Sequence, residues 1–510
     1  MEEKLQKPFP ATLNIAQYCL ENNAKRHPDK TALIIVHQIG DEERWTYRAV
    51  YLAISQLSAG LKSLDYPAGS RFVIRANKDF NFIILYFAAL AASLVPIASL
   101  SELTSSEVLH IIRDSEAVLY YEASELALSL PLPTTCTLLS EGKLAQLKVY
   151  SAEQLAITTQ PNDPAFLVYT SGSTGKPKGV LHAHRVILGR APIRRYWLNL
   201  QFDDIVLITG KPCWTYSMGV GFMDTWVMGA TSLVYTGPIA PNIWFRLIEH
   251  YKVTLFASNP TYYQQMLAVK NSQQYDLSSL RQATSAGVTL PPDIIQYWKD
   301  HFQIPIYEAL GMSEMSTFIS SGHTVPIKLG YVGKIQPGRK VTILPLEGGE
   351  QTVPCNTIGL LAIHKDNLAF MLGYLNDNSL EKYRGPWFIT GDLVSGDSDG
   401  YIAHHGRFDD LLIVTTGDRV SPTEVEAMLT KYPGVLDAAC AVTNEKVLTA
   451  FLVMDQKISS TDTLKLDITH FLKSYLVPYK VPQCIVFVQK IPRNVNGKII
   501  RAQLKNLKSS

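Results

Sequence analysis

The sequence predicts an α/β protein: a large N-terminal domain of mostly parallel sheets with flanking helices, then a small α/β domain. Three observations carry this reading. Short apolar runs at 32–36, 71–74, 118–121, 205–208 and 232–235 alternate with helical stretches, the order expected of βαβ units. A chain of 510 residues exceeds what a single hydrophobic core holds. A cluster of turn signals around Gly406-Arg407-Phe408-Asp409-Asp410 sets off the last part of the chain, at about 100 residues enough for a small domain. The predicted domains are residues 1–408 and 409–510.

Taken in order, residues 12–30 read as an amphipathic helix with Ile15, Cys19 and Leu20 on one face. The most apolar run, 82–97, is shorter than the roughly 20 residues of a membrane span and is interrupted by Pro96. It reads as a buried helix running into a strand, so no membrane span is expected. Met1-Glu2-Glu3-Lys4 precedes no apolar segment of the kind a secretory signal carries. Residues 131–135 are a loop, and no internal repeat is visible. Gly391-Asp392 and Asp397-Ser398-Asp399-Gly400 mark turns between short strands. Residues 411–414 read as a strand. Ser421-Pro422-Thr423-Glu424 has the form of a helix start, with a capping hydroxyl, Pro at the first helical position and Glu three residues on. That helix runs through Leu429 and stops at Tyr432-Pro433-Gly434.

Composition narrows the function. The 47 basic and 45 acidic residues leave a formal charge of +2 and are scattered. Nucleic acid is therefore not the expected partner, because phosphate-backbone binding needs a concentrated basic face. The six cysteines, Cys19, Cys136, Cys213, Cys355, Cys440 and Cys484, form no C-x-x-C pair. Neither a disulfide framework nor a zinc site is expected, and a reducing cytoplasm fits.

The strongest chemical signal is Tyr169-Thr170-Ser171-Gly172-Ser173-Thr174-Gly175-Lys176-Pro177-Lys178-Gly179, directly after the apolar run 165–168. Its glycines remove side-chain obstruction, its hydroxyls donate, and its two lysines add charge, so it can wrap a polyphosphate closely. It is not a Walker A loop: only two residues separate Gly172 from Gly175-Lys176, and Pro177 stands where Ser or Thr belongs.

This loop resembles the signature of the adenylate-forming superfamily, which includes acyl-CoA synthetases, amino-acid adenylation domains and luciferase. Four further motifs recur in the family's order: Leu310-Gly311-Met312-Ser313-Glu314, Thr390-Gly391-Asp392, Gly406-Arg407-Phe408-Asp409, and Pro492-Arg493-Asn494-Val495-Asn496-Gly497-Lys498. The resemblance implies activation of a carboxylic acid with ATP, release of pyrophosphate, and transfer of the acyl group to coenzyme A. The loop residues Thr170 to Lys176 with Lys178 would hold ATP phosphates, and Glu308, Ala309, Leu310, Gly311, Met312 and Ser313 the rest of the nucleotide. Asp392 and Arg407 would reach the ribose, an ionised carboxylate accepting from both hydroxyls. Glu314 would hold Mg2+, a hard cation that takes carboxylate and phosphate oxygens.

Lys498 matches the catalytic lysine, whose ammonium offsets the repulsion between carboxylate and α-phosphate in the transition state. Asp409 matches the hinge of a mobile C-terminal domain. Gly417 falls where relatives pass the pantetheine arm of CoA, and a glycine lets that arm close to the backbone. Two residues depart from the pattern: Leu310 replaces the usual tyrosine, and Val288 stands in Ser285-Ala286-Gly287-Val288 where many relatives carry glutamate. Trp214, Tyr216 and Gly287 would line the acyl pocket. Tyr216 takes the place of the aspartate with which amino-acid adenylation domains hold the substrate ammonium, so an α-amino acid is disfavoured and an aryl or medium-chain acid favoured. The likeness is greatest to benzoate-type and medium-chain acyl-CoA ligases. Rival readings are loading of a carrier-protein phosphopantetheine, a ligase that stops at the adenylate, and a non-catalytic nucleotide-binding relative. His182 and His184 read as structural.

Overall fold

The computed structural model describes every residue except 1–8, 78, 172–176, 212, 378–379, 409, 415–418, 443–446, 456–457, 459–460, 494–498, 505–506 and 508–510. The chain divides into two compact units, one of residues 1–340 and 365–381, the other of 341–364 and 382–510.

The first unit is built on two sheets. In one, strands Thr31–Gln38, Thr231–Tyr235, Ile205–Ile208, Leu255–Ser258, Gln282–Ala286 and Ile306–Met312 lie side by side, all in parallel. Asp41–Thr46 closes one edge antiparallel, and Ser316–Ser320 and Gly333–Ile335 continue the other. The second sheet runs Gly373–Tyr374, Pro177–Ala183, Pro164–Ser171, Val95–Ser99, Arg71–Arg75, Leu119–Glu122, Thr137–Leu139. Its centre is again parallel. Parallel strands need both faces covered, which is why these strands read as continuous apolar runs rather than alternating ones.

The local expectations hold where the signal is local. Helix Ile15–Arg26 buries Ile15, Ala16, Cys19, Leu20 and Asn23, with the Asn14 side chain capping its first turn. The apolar run becomes helix Phe80–Ala91, buried from Phe82 to Ala91, and then strand Val95–Ser99. Asp79 caps that helix at Phe82 N–H. Among the described residues no helix is long and apolar enough to cross a membrane.

The second unit holds an antiparallel set, Val341–Leu344, Gly359–His364, Trp387–Gly396 and Tyr401–Arg407. It also holds a three-stranded sheet, Val435–Val442, Leu448–Met454 and Cys484–Phe487. Helices Pro422–Leu429 and Asp462–Lys473 pack on a core of Val420, Val425, Leu429, Leu452, Ile468 and Leu472. The helix start at Ser421 is confirmed by backbone geometry, but the capping box does not form. The Ser421 hydroxyl donates to the His405 carbonyl at 2.8 Å, and Glu424 pairs with Lys480 at 2.7 Å. Partners from distant strands and loops displaced the local ones.

Candidate functional site

Strands Pro164–Ser171 and Pro177–Ala183 pair antiparallel and form the two arms of the glycine-rich loop, with Thr170 opposite Lys178. Gly172, Ser173, Thr174, Gly175 and Lys176 lie outside the described residues, as does the side chain of Ser171. Lys178 forms a half-exposed ion pair with Asp377 at 2.6 Å and stands over the Tyr374 ring, 5.6 Å from its centroid. The Tyr374 hydroxyl donates to Glu314 at 2.5 Å. Tyr374 thus links the loop's lysine to the carboxylate expected to hold Mg2+.

Glu314 is largely buried, and the bond from Tyr374 occupies one of its oxygens while a carboxylate offers about four acceptor sites. Among the described residues no three His, Cys, Asp or Glu side chains converge as a metal cage. That donor set fits Mg2+, which is commonly held by one or two carboxylates together with substrate phosphates and water.

The segment Glu308 to Ser313 lies on strand Ile306–Met312 and its turn. Gly311 is a position of close approach: a Cβ there would overlap the backbone of Ser316 and Thr317. Leu310 is half-buried and pairs with Ile319. Glu308 is buried, accepts the Leu290 N–H at 2.9 Å, and burial pushes its pKa up to about 7. The carbonyl of Ser313 accepts from His182 Nε2 at 2.7 Å, with the imidazole stacked on Phe166. His184 Nδ1 accepts the Ile15 N–H. Burial lowers both histidines to about 4, so they are neutral hydrogen-bonding props.

At the carboxyl edge of the parallel sheet, Gly287 takes φ +98° with open space where a side chain would stand. Val288 is exposed. Trp214 lines a cavity with Phe166, His182, Arg190, Met218 and Ser316. Tyr216 does not line it. Its hydroxyl turns towards the carbonyls of Ser258, at 3.3 Å, and Thr284, at 3.4 Å, and its ring packs near Trp197. Tyr216 thereby fills the space between the turn Thr215–Met218 and the ends of two parallel strands, where ligands of such sheets bind. Desolvation raises its pKa, so the phenol stays neutral.

In the second unit, Asp392 and Arg407 face each other across the pairing of Trp387–Gly396 with Tyr401–Arg407. Burial raises the pKa of Asp392, but the His404 hydrogen bond at 3.3 Å and the Arg407 charge at 3.5 Å outweigh it and hold the carboxyl below its usual range. Asp392 is therefore an ionised, buried acceptor, as a ribose-binding carboxylate must be. Gly391 takes φ +84° at that bend. Asp409, Gly417 and Lys498 lie outside the described residues.

Sequence reading missed Tyr374, Asp377 and His404. Each reaches its partner from a separate strand or turn, and none sits in a glycine-rich or charged cluster that would have singled it out.

Residues 20–375 match the model of the AMP-binding enzyme family, and residues 424–498 that of the AMP-binding enzyme C-terminal domain. The chain is 30% identical to a benzoate–CoA ligase of Thauera aromatica over 92% of each protein. It is 29% identical to an uncharacterised acyl-CoA ligase of Bacillus subtilis (strain 168) over 96% of each. Among solved structures, an anthranilate CoA ligase in complex with anthranoyl-AMP superimposes with a TM-score of 0.86 at 27% identity, covering 98% of each chain. The chain belongs to the AMP-binding enzyme family, as an AMP-forming acyl-CoA ligase that uses ATP, Mg2+ and coenzyme A.

Proposed function

We propose that this ligase activates a compact aryl or medium-chain carboxylic acid and delivers it to free CoA in the cytoplasm. The observation that carries the choice of acid is the lining around the turn Thr215–Met218. Trp214 and Met218 face the cavity and Tyr216 fills the sheet edge, while among the described residues no carboxylate lines this cavity to hold a substrate ammonium. The likeness to a benzoate–CoA ligase and an anthranilate CoA ligase supports an aromatic acid. The six cysteines, none of them in a disulfide, suit a reducing compartment.

In this reading, the glycine-rich loop cradles the phosphates, Glu314 would hold Mg2+, which would offset phosphate charge, and Asp392 with Arg407 binds the ribose. Lys498 stabilises the charge that develops as the carboxylate attacks the α-phosphorus and pyrophosphate leaves. The small domain, residues 409–510, then turns about Asp409, and the thiol of CoA enters past Gly417 to displace AMP. The deciding experiment is pyrophosphate release over a panel of carboxylates, with and without CoA. Release with aromatic or medium-chain acids and formation of their CoA thioesters is the expected result. Release without thioester formation from CoA would instead point to a carrier-protein phosphopantetheine as acceptor. No release with any acid would overturn the reading.

A further inference from the structure

The cavity beside Trp214 and Met218 has one charged wall. Arg190 and Ser316 face it among apolar neighbours. Arg190 is buried, gives Asp224 its Nε at 3.1 Å and its Nη2 at 2.5 Å, and places Nη1 on the Ser316 hydroxyl at 2.6 Å. Arg194, also buried, reaches the same carboxylate at 3.2 Å. Arg339 donates Nη2 to the Thr317 carbonyl at 3.1 Å, and its Nε is buried without an acceptor. Burial, with Arg190 and Arg194 beside it, pulls the Arg339 pKa down to about 9.

Two guanidiniums therefore share one carboxylate, with a third close by that pairs with none among the described residues. Among the described residues, Asp224 is the sole carboxylate that pairs with Arg190 and Arg194, and none pairs with Arg339. Unmatched charge in a dry interior is costly, and an entering anion relieves that cost. The wall is also shaped for it: a Cβ on Gly219 would overlap the Arg190 guanidinium, so the glycine lets the guanidinium lie against the backbone at the cavity.

We propose that the acid activated by this enzyme carries a second anionic group, a carboxylate, received in the cavity by Arg190 and Ser316. This rests on the reading of Trp214 and Met218 as walls of the acid's pocket. The apolar lining then holds the body of the acid and the arginine wall its far end, leaving the reacting carboxylate towards the nucleotide.

The test is pyrophosphate release with near-isosteric pairs that differ by a methyl or a carboxylate: 3-methylbenzoate against isophthalate, and heptanoate against adipate. The dicarboxylate of at least one pair should show a kcat/KM about 30-fold or more above its partner, as buried charge-assisted contacts give. Arg190→Gln should erase that preference. Because this variant leaves Arg194 alone on Asp224, Gly219→Ala is made alongside it, displacing the guanidinium without removing a charge. Thermal unfolding checks that both fold. Equal use of both members of each pair by the wild type overturns the inference while leaving the ligase reading intact. So does an equal loss for both members in the two variants. Failure of every acid to release pyrophosphate removes the ligase reading and this inference with it.

Discussion

Replacing Glu308 by Gln should stabilise the protein in alkaline solution and do nothing in acid. Glu308 is buried on strand Ile306–Met312, no ion pair joins it to a cation among the described residues, and its one strong partner is the Leu290 N–H at 2.9 Å. Burial raises its pKa from 4.5 to about 7. The sign follows directly. Between those values the folded chain holds a proton that the unfolded chain has released, so stability is complete below about 4.5 and falls as pH rises through 7. The shift corresponds to about 3 kcal/mol once the carboxylate is ionised. Gln keeps the acceptor for Leu290 and cannot ionise. For a unit of roughly 350 residues, 3 kcal/mol moves the midpoint by about 4 °C by the usual entropy per residue. Thermal unfolding of both proteins from pH 4.5 to 8.5 should give midpoints that coincide at the acid end, separate as pH rises from about 4.5 to 7 and stay apart above it, the variant higher. Curves that run parallel across the range would refute the argument, because the buried carboxyl would then have the same charge in both states.

Four further outcomes are expected. Lys498→Ala should cut pyrophosphate exchange by about 10²–10³ yet still form thioester from added acyl-adenylate, and Gly417→Leu should do the reverse; normal exchange in the lysine variant would end the proposed mechanism. Asp409→Pro, which fixes φ near about −65°, should keep one half-reaction and lose the other, and the hinge reading fails if both proceed at the wild-type rate. Tyr216→Ala should open the space its ring fills at the sheet edge and admit bulkier acids, with discrimination shifting by roughly 1–3 kcal/mol; an unchanged acid profile would mean that this space does not open into the acid's pocket. Arg501→Met leaves Glu426 buried without the partner that now lies 2.5 Å away. Unfolding of the second unit followed by proteolysis should show a loss of about 3 kcal/mol, and an unaltered rate would show that the pair contributes nothing.

The phosphate-loop reading rests on residues close together in the chain, glycines, hydroxyls and lysines within eleven residues, of which 172–176 lie outside the described residues. The readings of helix Ile15–Arg26 and of the apolar helix Phe80–Ala91 are local as well: their faces and ends follow from spacing and from Asn14 and Asp79 as caps. The order of the motifs carried the family. What the sequence left open depends on which distant groups meet. Tyr374 reaches Glu314 across 60 positions, and Arg501 reaches Glu426 across 75. Arg190 and Arg194 converge on Asp224 from 34 and 30 residues away. Ser421, a helix cap by its local signature, gives its hydroxyl to His405 instead. A side chain's hydrogen-bonding capacity is set by its type, but its partner is chosen by the packing of strands and helices that bring remote backbone together. Only the tertiary structure could show that Arg190 and Arg194 share one carboxylate while Arg339 pairs with none among the described residues, since nothing in their spacing distinguishes them from solvated surface charges.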